Sequence, residues 1–457
     1  MHLNKMTTTP LIPLTYFSFL FFFFSVGLHC SSAQTLVTPV SKDKSTNLYT
    51  LSIYLKTPLQ LSKLHLDLSS YIPWRDCAGA RYNDSSSYRP VHAKTALCKE
   101  MIPRAISYCY EPAHPGCANN SCGTYPENPV TREFSSGDLI QDKFALALPA
   151  PGKRVQPGPI SKLLLSCFDS TISPNLLPGL AGGSVGLASL GGYNHSLPAQ
   201  LSKSFSSPQI FAICLPSSSK DPGSVWFNSP GPYYFSPGEM DLSKSLTYTP
   251  LITAPRGSDT EIFYYYPSPE YNIGLTSIKV NGRSIPLNKT LLAIDELGRG
   301  GVKLSSSKPY SVLETSVFQA LTGAFVKEAG GLNLSLIQPA VEPFKVCYAV
   351  DEKQGSGAGD HPPVPTIDLV LQSEEVFWRI DGSNSMVRVR TKNNVDAWCL
   401  GFVDGGDAPK TSIIIGGRQL EDNLLQFDLD SGRLGFTSSL LVRNTNCSNF
   451  DVKSTNN

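Results

Sequence analysis

The sequence predicts a secreted, disulfide-bonded, all-β protein of two lobes with few short helices. Three observations carry that expectation. Apolar residues recur at every second position in many short stretches, the period of a half-buried strand. Gly and Pro number 36 each while only 16% of residues are charged, a balance that suits strands joined by turns better than a helical bundle. The order of features in the first half of the 457 residues returns in the second, and a mature chain above ~400 residues forms more than one domain.

The first 33 residues are set apart from the fold. Lys5 supplies a positive charge, an apolar run extends from Leu14 through four phenylalanines at 21–24 to Leu28, and Ser31, Ser32 and Ala33 follow. Charge, apolar core and small residues make a secretory signal peptide, residues 1–33, cut after Ala33. A membrane anchor is the rival, but the run is short for a spanning helix. The expected location is the extracellular space or cell wall, with no membrane attachment after signal removal.

Removal of the signal takes Cys30 and leaves ten cysteines: Cys77, Cys98, Cys109, Cys117, Cys122, Cys167, Cys214, Cys347, Cys399 and Cys447. An even set in an oxidising compartment predicts a disulfide framework. Metal binding is the rival. The crowded spacings between Cys98 and Cys122 lack a partnered CxxC or a histidine pair, so neither metal nor cofactor is expected. Sequons at Asn83, Asn119, Asn194, Asn288, Asn333 and Asn446 predict surface loops open to glycosylation. A net charge of +1 offers no electrostatic attraction to nucleic acid or an anionic membrane.

Along the chain, Leu51, Ile53 and Leu55 alternate with polar residues over 49–55. Leu64, Leu66 and Leu68 alternate with His65 and Asp67, which places Asp67 on the opposite face from the leucines near a strand's end. Residues 76–123 show little periodicity and hold five cysteines, a stapled insertion. A Pro/Gly loop is expected over 149–159 and strands over 163–168 and 208–215. Between them a glycine-rich turn, 182–192, leads into a short segment, 197–205. The Ser/Pro/Gly-rich stretch 216–242 is read as the connection, so the first lobe spans 34–225 and the second 243–450. In the second lobe, strands are expected over 271–280, 301–305, 366–371 and 385–389. Leu313, Val317, Leu321, Ala324 and Phe325 fall at helical spacing over 313–329. Ile413 to Gly417 reads as a buried strand ending in a turn, and 425–436 as a hairpin around Asp430-Ser431-Gly432.

The doubled plan is specific. An apolar strand reaching Asp67 precedes Val185-Gly186-Leu187, and a strand reaching Ser305 precedes a helix and then Ile414-Ile415-Gly416. This order resembles the pepsin-like aspartic proteases, in which each lobe supplies an Asp-Thr/Ser-Gly loop backed by an apolar-apolar-Gly strand. The runs C-G-T-Y-P-E-N-P-V (122–130), S-K-P-Y-S-V-L-E-T-S-V-F (307–318), L-Q-S-E-E-V-F-W (371–378), G-S-N-S-M-V (382–387) and G-G-R-Q-L-E-D-N-L-L-Q-F-D-L (416–429) are similar to the extracellular dermal glycoprotein group. That group includes the basic 7S globulins and the xylanase and xyloglucanase inhibitors of plants. The resemblance runs from about Thr38 to Phe450. It implies a bilobal pepsin-like fold with a central cleft, a xylanase-inhibitor-type lobe in each half, and the pairing Cys347–Cys399 inside the second lobe. The family commonly has two further cysteines, and Ala93 stands where one of them lies.

An aspartic protease holds two carboxylates that share one proton, because both cannot ionise side by side. Asp67 is the one good candidate for the first, but it stands unpaired and vestigial. Its motif reads Asp67-Leu68-Ser69, without the usual hydroxyl or glycine. On the resemblance the second catalytic position is Ser305, which has no carboxylate. Asp295 looks like a strand-end aspartate but lies ten residues too early. Asp430-Ser431-Gly432 matches the protease letters but suits a hairpin turn. Tyr125 is the candidate for the aromatic of the flap. No Gly-x-Ser-x-Gly elbow is present, so a serine hydrolase is not expected.

The chain is therefore expected not to be an enzyme. The resemblance implies a monomeric plant-defence glycoprotein whose partners are secreted microbial glycoside hydrolases of xyloglucanase or xylanase type. It directs attention to two loops: Leu332 beside Asn333, where xyloglucanase inhibitors place an arginine, and Arg443 before Cys447. A cation is apt against the paired carboxylates of such an enzyme. Two other readings stay open: an aspartic endopeptidase with residual activity, and a storage or peptide-binding glycoprotein like the basic 7S globulins.

Overall fold

The computed structural model describes Met1 and residues 35–78, 82, 84–101, 105–109, 112–151, 154–256, 266–332, 334–349, 363–390 and 396–450. The signal-peptide expectation lies outside these residues. Among the described residues no helix is long and apolar enough to cross a membrane. Strands dominate among the described residues, and the longest helix among them is Thr315–Ala329.

Each half builds the same knot of strands. In the first, Gln60–Asp67 runs parallel to Gly186–Ser189, with Asp67 opposite Ser189. The chain leaving Asp67 returns as Trp74–Asp76, antiparallel to that same short strand. In the second, Val302–Leu304 runs parallel to Ile413–Ile415, and Ser311–Leu313 returns antiparallel to it. A glycine stands at the corresponding point of each knot because the backbones nearly touch. A Cβ on Gly186 would lie 2.2 Å from the Trp74 carbonyl oxygen, and one on Gly416 would lie 2.3 Å from that of Tyr310.

Behind the two knots, six antiparallel strands join the halves. Leu36–Lys42 pairs with Gly223–Phe227, which pairs with Ile210–Cys214. Ile210–Cys214 pairs across the seam with Leu424–Asp428. Arg433–Phe436 and Thr247–Ile252 complete the second side. Phe211 and Phe427 stack over the seam with ring centres 4.6 Å apart and planes 5° from parallel. Two such buried rings each remove a large apolar area from water, a few kcal/mol apiece.

The stretch 216–242, read from its composition as the connection between lobes, contains the buried strand Gly223–Phe227. Its apolar residues Val225, Trp226 and Phe227 pack in the cores, and Gly223 fits against the Cys214 carbonyl. The Pro/Gly loop expected over 149–159 is the tip and return arm of a hairpin, Gly137–Ala150 against Arg154–Pro157. The segment 197–205 is a helix, Leu197–Phe205.

All ten cysteines of the described residues are bridged: Cys77–Cys167, Cys98–Cys122, Cys109–Cys117, Cys214–Cys447 and Cys347–Cys399. The last is the pairing expected within the second lobe. Cys214–Cys447 closes 233 residues and ties the first half to the C-terminal segment.

Glu421 anchors the seam electrostatically. It is 1% exposed and accepts from the Tyr49 hydroxyl at 2.7 Å. Its carboxylate meets the Lys42 ammonium at 2.5 Å and the Arg418 guanidinium at 2.9 Å. Two of these partners belong to the first half and one to the second. Removing one member of such a buried set strands the others. Glu421→Ala should lower unfolding free energy by about 3 kcal/mol, read as a urea midpoint of the oxidised protein. Lys42→Met in the same chain should recover part of that loss, and an additive double variant would contradict the coupling.

Candidate functional site

Asp67 ends its strand at the point where the two knots meet. The alternation predicted one apolar and one polar face, but the end of this strand is buried on both. His65 and Asp67 are each 0% exposed, because flanking strands and the second half cover them. Asp67 accepts four kinds of donor. Ser69 N–H donates to Oδ2 at 3.0 Å, and the Ser69 hydroxyl reaches both oxygens at 3.1 Å. The Ser70 hydroxyl donates to Oδ2 at 2.5 Å. From the second half, the Ser307 hydroxyl donates to Oδ1 at 2.6 Å.

Ser307 is thus the residue that meets the carboxylate. Ser305, the position singled out from the sequence, is 7% exposed, and its Oγ accepts from Ser307 N–H at 3.2 Å. The middle serine makes a clamp: Ser306 Oγ donates to the Leu66 carbonyl at 2.9 Å and accepts from Leu68 N–H at 3.2 Å. Leu68 has no hydroxyl to return the grip and packs in the core instead. Sequence reading singled out Ser305 on this loop and missed the contact of Ser307 with Asp67, because a serine at a glycine position gives no signal of which way it points.

His65 completes a chain of hydrogen bonds. Ala181 N–H donates to its Nδ1 at 3.4 Å, which assigns the proton to Nε2. Nε2–H then donates to Ser307 Oγ at 2.8 Å, leaving the serine proton for Asp67. Burial lowers the imidazole pKa, and the Asp67 charge opposes that shift only in part. The serine sits between histidine and carboxylate with its hydroxyl hydrogen directed at the carboxylate, the reverse of a nucleophile activated by histidine.

A narrow pocket opens beside this floor. Its lining includes Ser69, Ser70, Tyr71, Ile72, Tyr125 and Pro126 from the first half and Pro269 and Glu270 from the second. The halves are stitched along it: Tyr71 OH donates to the Pro267 carbonyl at 2.9 Å, and Gly192 N–H to that of Pro269 at 2.7 Å. Lys303 pairs with Glu270 at 2.6 Å. Burial alone would raise the Glu270 pKa, but Lys303, with Arg132 and Lys410 beyond it, takes it below the ordinary carboxylate value.

The other singled-out residues lie apart from this floor. Asp295 caps its own turn, accepting from Leu297 and Arg299 N–H, and Asp430 belongs to the hairpin turn before Arg433–Phe436. Arg443 ends a short 3-10 turn, is exposed, and donates to the Ser245 hydroxyl at 2.8 Å. Leu332, 36% exposed, follows the long helix. Asn119, Asn194 and Asn288 are exposed, and Asn446 is half-buried with its Oδ1 accepting from Ser448 N–H. Asn83 and Asn333 lie outside the described residues. Cys109, His114 and Cys117 cluster closely, but the two sulfurs are bonded to each other and His114 meets Asp169 at 2.8 Å.

Two outcomes follow from this geometry. Asp67→Ala leaves several buried donors without an acceptor and should cost about 3 kcal/mol of stability, measured by urea unfolding; a neutral result would contradict the network. His65 takes up a proton less readily folded than unfolded. Stability is therefore fully present above the imidazole's ordinary ~6.5 and is lost as pH falls from there toward the lower folded value. His65→Gln should flatten that slope, seen in melting temperature against pH.

Comparison with known proteins agrees with this architecture. Residues 49–228 match the family described as xylanase inhibitor N-terminal, and residues 270–438 that described as xylanase inhibitor C-terminal. The chain is 46% identical to "Probable aspartic proteinase GIP1" of Glycine max over 91% of this chain and 92% of that one. It is 37% identical to "Gamma conglutin 1" of Prunus dulcis over 95% and 96%. The crystal structure of edgp superposes with a TM-score of 0.82 at 42% identity, covering 92% of this chain and 98% of that one. Basic 7S globulin from soybean superposes with a TM-score of 0.72 at 28% identity, covering 92% and 100%. The chain belongs to the pepsin-like family that unites xylanase-inhibitor-type domains with the basic 7S globulins and gamma conglutins.

Proposed function

We propose that this chain is a secreted, catalytically inactive aspartic-protease homologue that binds and inhibits cell-wall-degrading glycoside hydrolases of the xyloglucanase or xylanase type. One observation carries the inactive half of that reading. Asp67 is fully buried and, among the described residues, its side-chain partners are the hydroxyls of Ser69, Ser70 and Ser307 and not a second carboxylate. Activation of a water needs one carboxylate to act as base while its neighbour donates. A serine hydroxyl cannot take the second role at an accessible pH.

The binding half is supported by the match of both lobes to xylanase-inhibitor-type domains. Arg443 and Leu332 are exposed on loops where a target could meet them, and Arg443 supplies the cation that paired carboxylates favour. A second reading, a storage or peptide-binding glycoprotein, is favoured by the 37% identity to Gamma conglutin 1 and 30% identity to Basic 7S globulin of Glycine max.

The test uses the secreted, disulfide-bonded protein. No cleavage of a denatured protein substrate at acidic pH is expected, with or without pepstatin. Stoichiometric inhibition of a xyloglucanase or xylanase is expected, weakened about tenfold, ~1.4 kcal/mol, by Arg443→Ala. Pepstatin-sensitive cleavage abolished by Asp67→Ala would overturn the inactive reading. Failure against both hydrolase classes would leave the storage reading in its place.

A further inference from the structure

Among the described sequons, Asn119, Asn194 and Asn288 stand exposed, and Asn446 alone is half-buried. Its position is fixed from both sides. Thr445 Oγ1 donates to the Ser236 carbonyl at 2.5 Å. Cys447 is bridged to Cys214, and its N–H donates to Asp422 Oδ1 at 2.9 Å. Asn446 itself caps the 3-10 turn that follows, its Oδ1 accepting from Ser448 N–H at 2.9 Å. That bond orients the side-chain amide. It leaves Nδ2, the atom that carries N-linked carbohydrate, without a hydrogen-bond partner among the described residues.

Asn446 lines a recess of about 540 Å³, within the range of small-ligand sites. The recess shares no residue with the pocket beside Asp67. Three parts of the chain meet there: the hairpin bearing Pro149 and Arg154, the stretch bearing Ser217, Asp221 and Pro222, and the C-terminal segment ending at Phe450. The first two belong to the first half and the third to the second. Ser448 Oγ donates to the Asp221 carbonyl at 3.2 Å. The Phe450 ring meets Trp226 edge to face with ring centres 4.7 Å apart, so it is a fixed part of the lining.

The mixed lining suits an N-acetylhexosamine. A pyranose ring has apolar C–H groups on its faces and hydroxyls round its edge, and the N-acetyl group adds a methyl and an amide. Pro149, Pro222 and Phe450 offer apolar surface, while Arg154, Ser217 and Asp221 offer donors and acceptors. A single sugar binds such a surface weakly. A covalent link at Asn446 would hold it there at a millimolar effective concentration. Only the folded chain brings the three parts together, so the contact favours the folded state.

We infer that this recess seats the carbohydrate of Asn446, whose first N-acetylglucosamine packs against Phe450 and Pro222 and braces the C-terminal segment against the first half. The link forms during secretion. Nδ2 bonds to the anomeric carbon of a lipid-pyrophosphate-linked oligosaccharide, the lipid pyrophosphate leaves with the electron pair of the broken C–O bond, and the amide gives up one proton. Carbohydrate at the exposed sequons projects into solvent, whereas this one is a structural component. The inference is independent of any binding to a hydrolase.

The test compares two preparations of the full chain: one secreted from a eukaryotic host and one refolded oxidatively from bacteria, which carries no carbohydrate. Glycopeptide mass spectrometry of the secreted protein should find Asn446 occupied. Asn446→Gln removes both the sugar and the side-chain cap, and the cap is lost equally in the two preparations. The melting temperature should therefore fall by roughly 2 °C more in the secreted protein than in the refolded one. Ser448→Thr keeps the sequon and should retain both occupancy and melting temperature. Under native conditions peptide-N-glycanase should release the Asn446 carbohydrate at least tenfold more slowly than that of an occupied exposed sequon, and unfolding should equalise the rates. A bare Asn446, an equal loss of melting temperature in both preparations, or equal native release rates would each overturn the inference.

Discussion

The pairing of Ile210–Cys214 with Leu424–Asp428 is the constraint on which the rest of the molecule depends. It is the point where strands of one half continue directly into the sheet of the other. Everything at the cleft floor is positioned from it. Cys214 and the Asp422–Cys447 contact extend the join at one end, and the Phe211–Phe427 stack fills its face. With the backing sheet fixed, the two strand knots can meet only as they do, with Asp67 of one against the serine loop of the other. A shift of register by one residue would turn every apolar side chain of these strands to the wrong face.

The floor itself combines a two-knot frame with an unusual set of polar groups. The knots, the paired glycines and the Ser306 clamp are all features of a frame that presents two groups to each other. What they present here is one carboxylate and a set of hydroxyls. Ser69, Ser70 and Ser307 satisfy the acid completely, and His65 is drawn in as a further donor behind Ser307. The site has become an internal polar network whose cost of burial is met by full hydrogen bonding.

Much of this was legible in the sequence, for identifiable reasons. Alternation of Leu51, Ile53 and Leu55, and of Leu425 and Phe427, revealed strands because a period of two has few other causes. The helix from Thr315 was legible from its stripe of apolar residues. What escaped were properties set by the partner across space. The 14-residue strand Gly137–Ala150 carries Pro, Gly and charges that disguise it. Strand Gly223–Phe227 was hidden inside a Ser/Pro/Gly-rich stretch. The burial of His65 was not legible, because its own strand says nothing of the half of the molecule that covers it. Ser307 was overlooked for the same reason: a side chain's target 240 residues away leaves no mark on local pattern.

The hydroxyl that faces Asp67 has a consequence for the range of acidity the molecule tolerates. Two neighbouring carboxylates hold together only while a proton bridges them, and they become mutual repellents once the medium removes it. In a working protease the proton is thus a structural component supplied by the solvent. Here the bridging hydrogen belongs permanently to Ser307, since a serine hydroxyl does not titrate in water. The seam between the halves has its own fastening and needs none from its surroundings, so neutral and mildly alkaline media leave it closed.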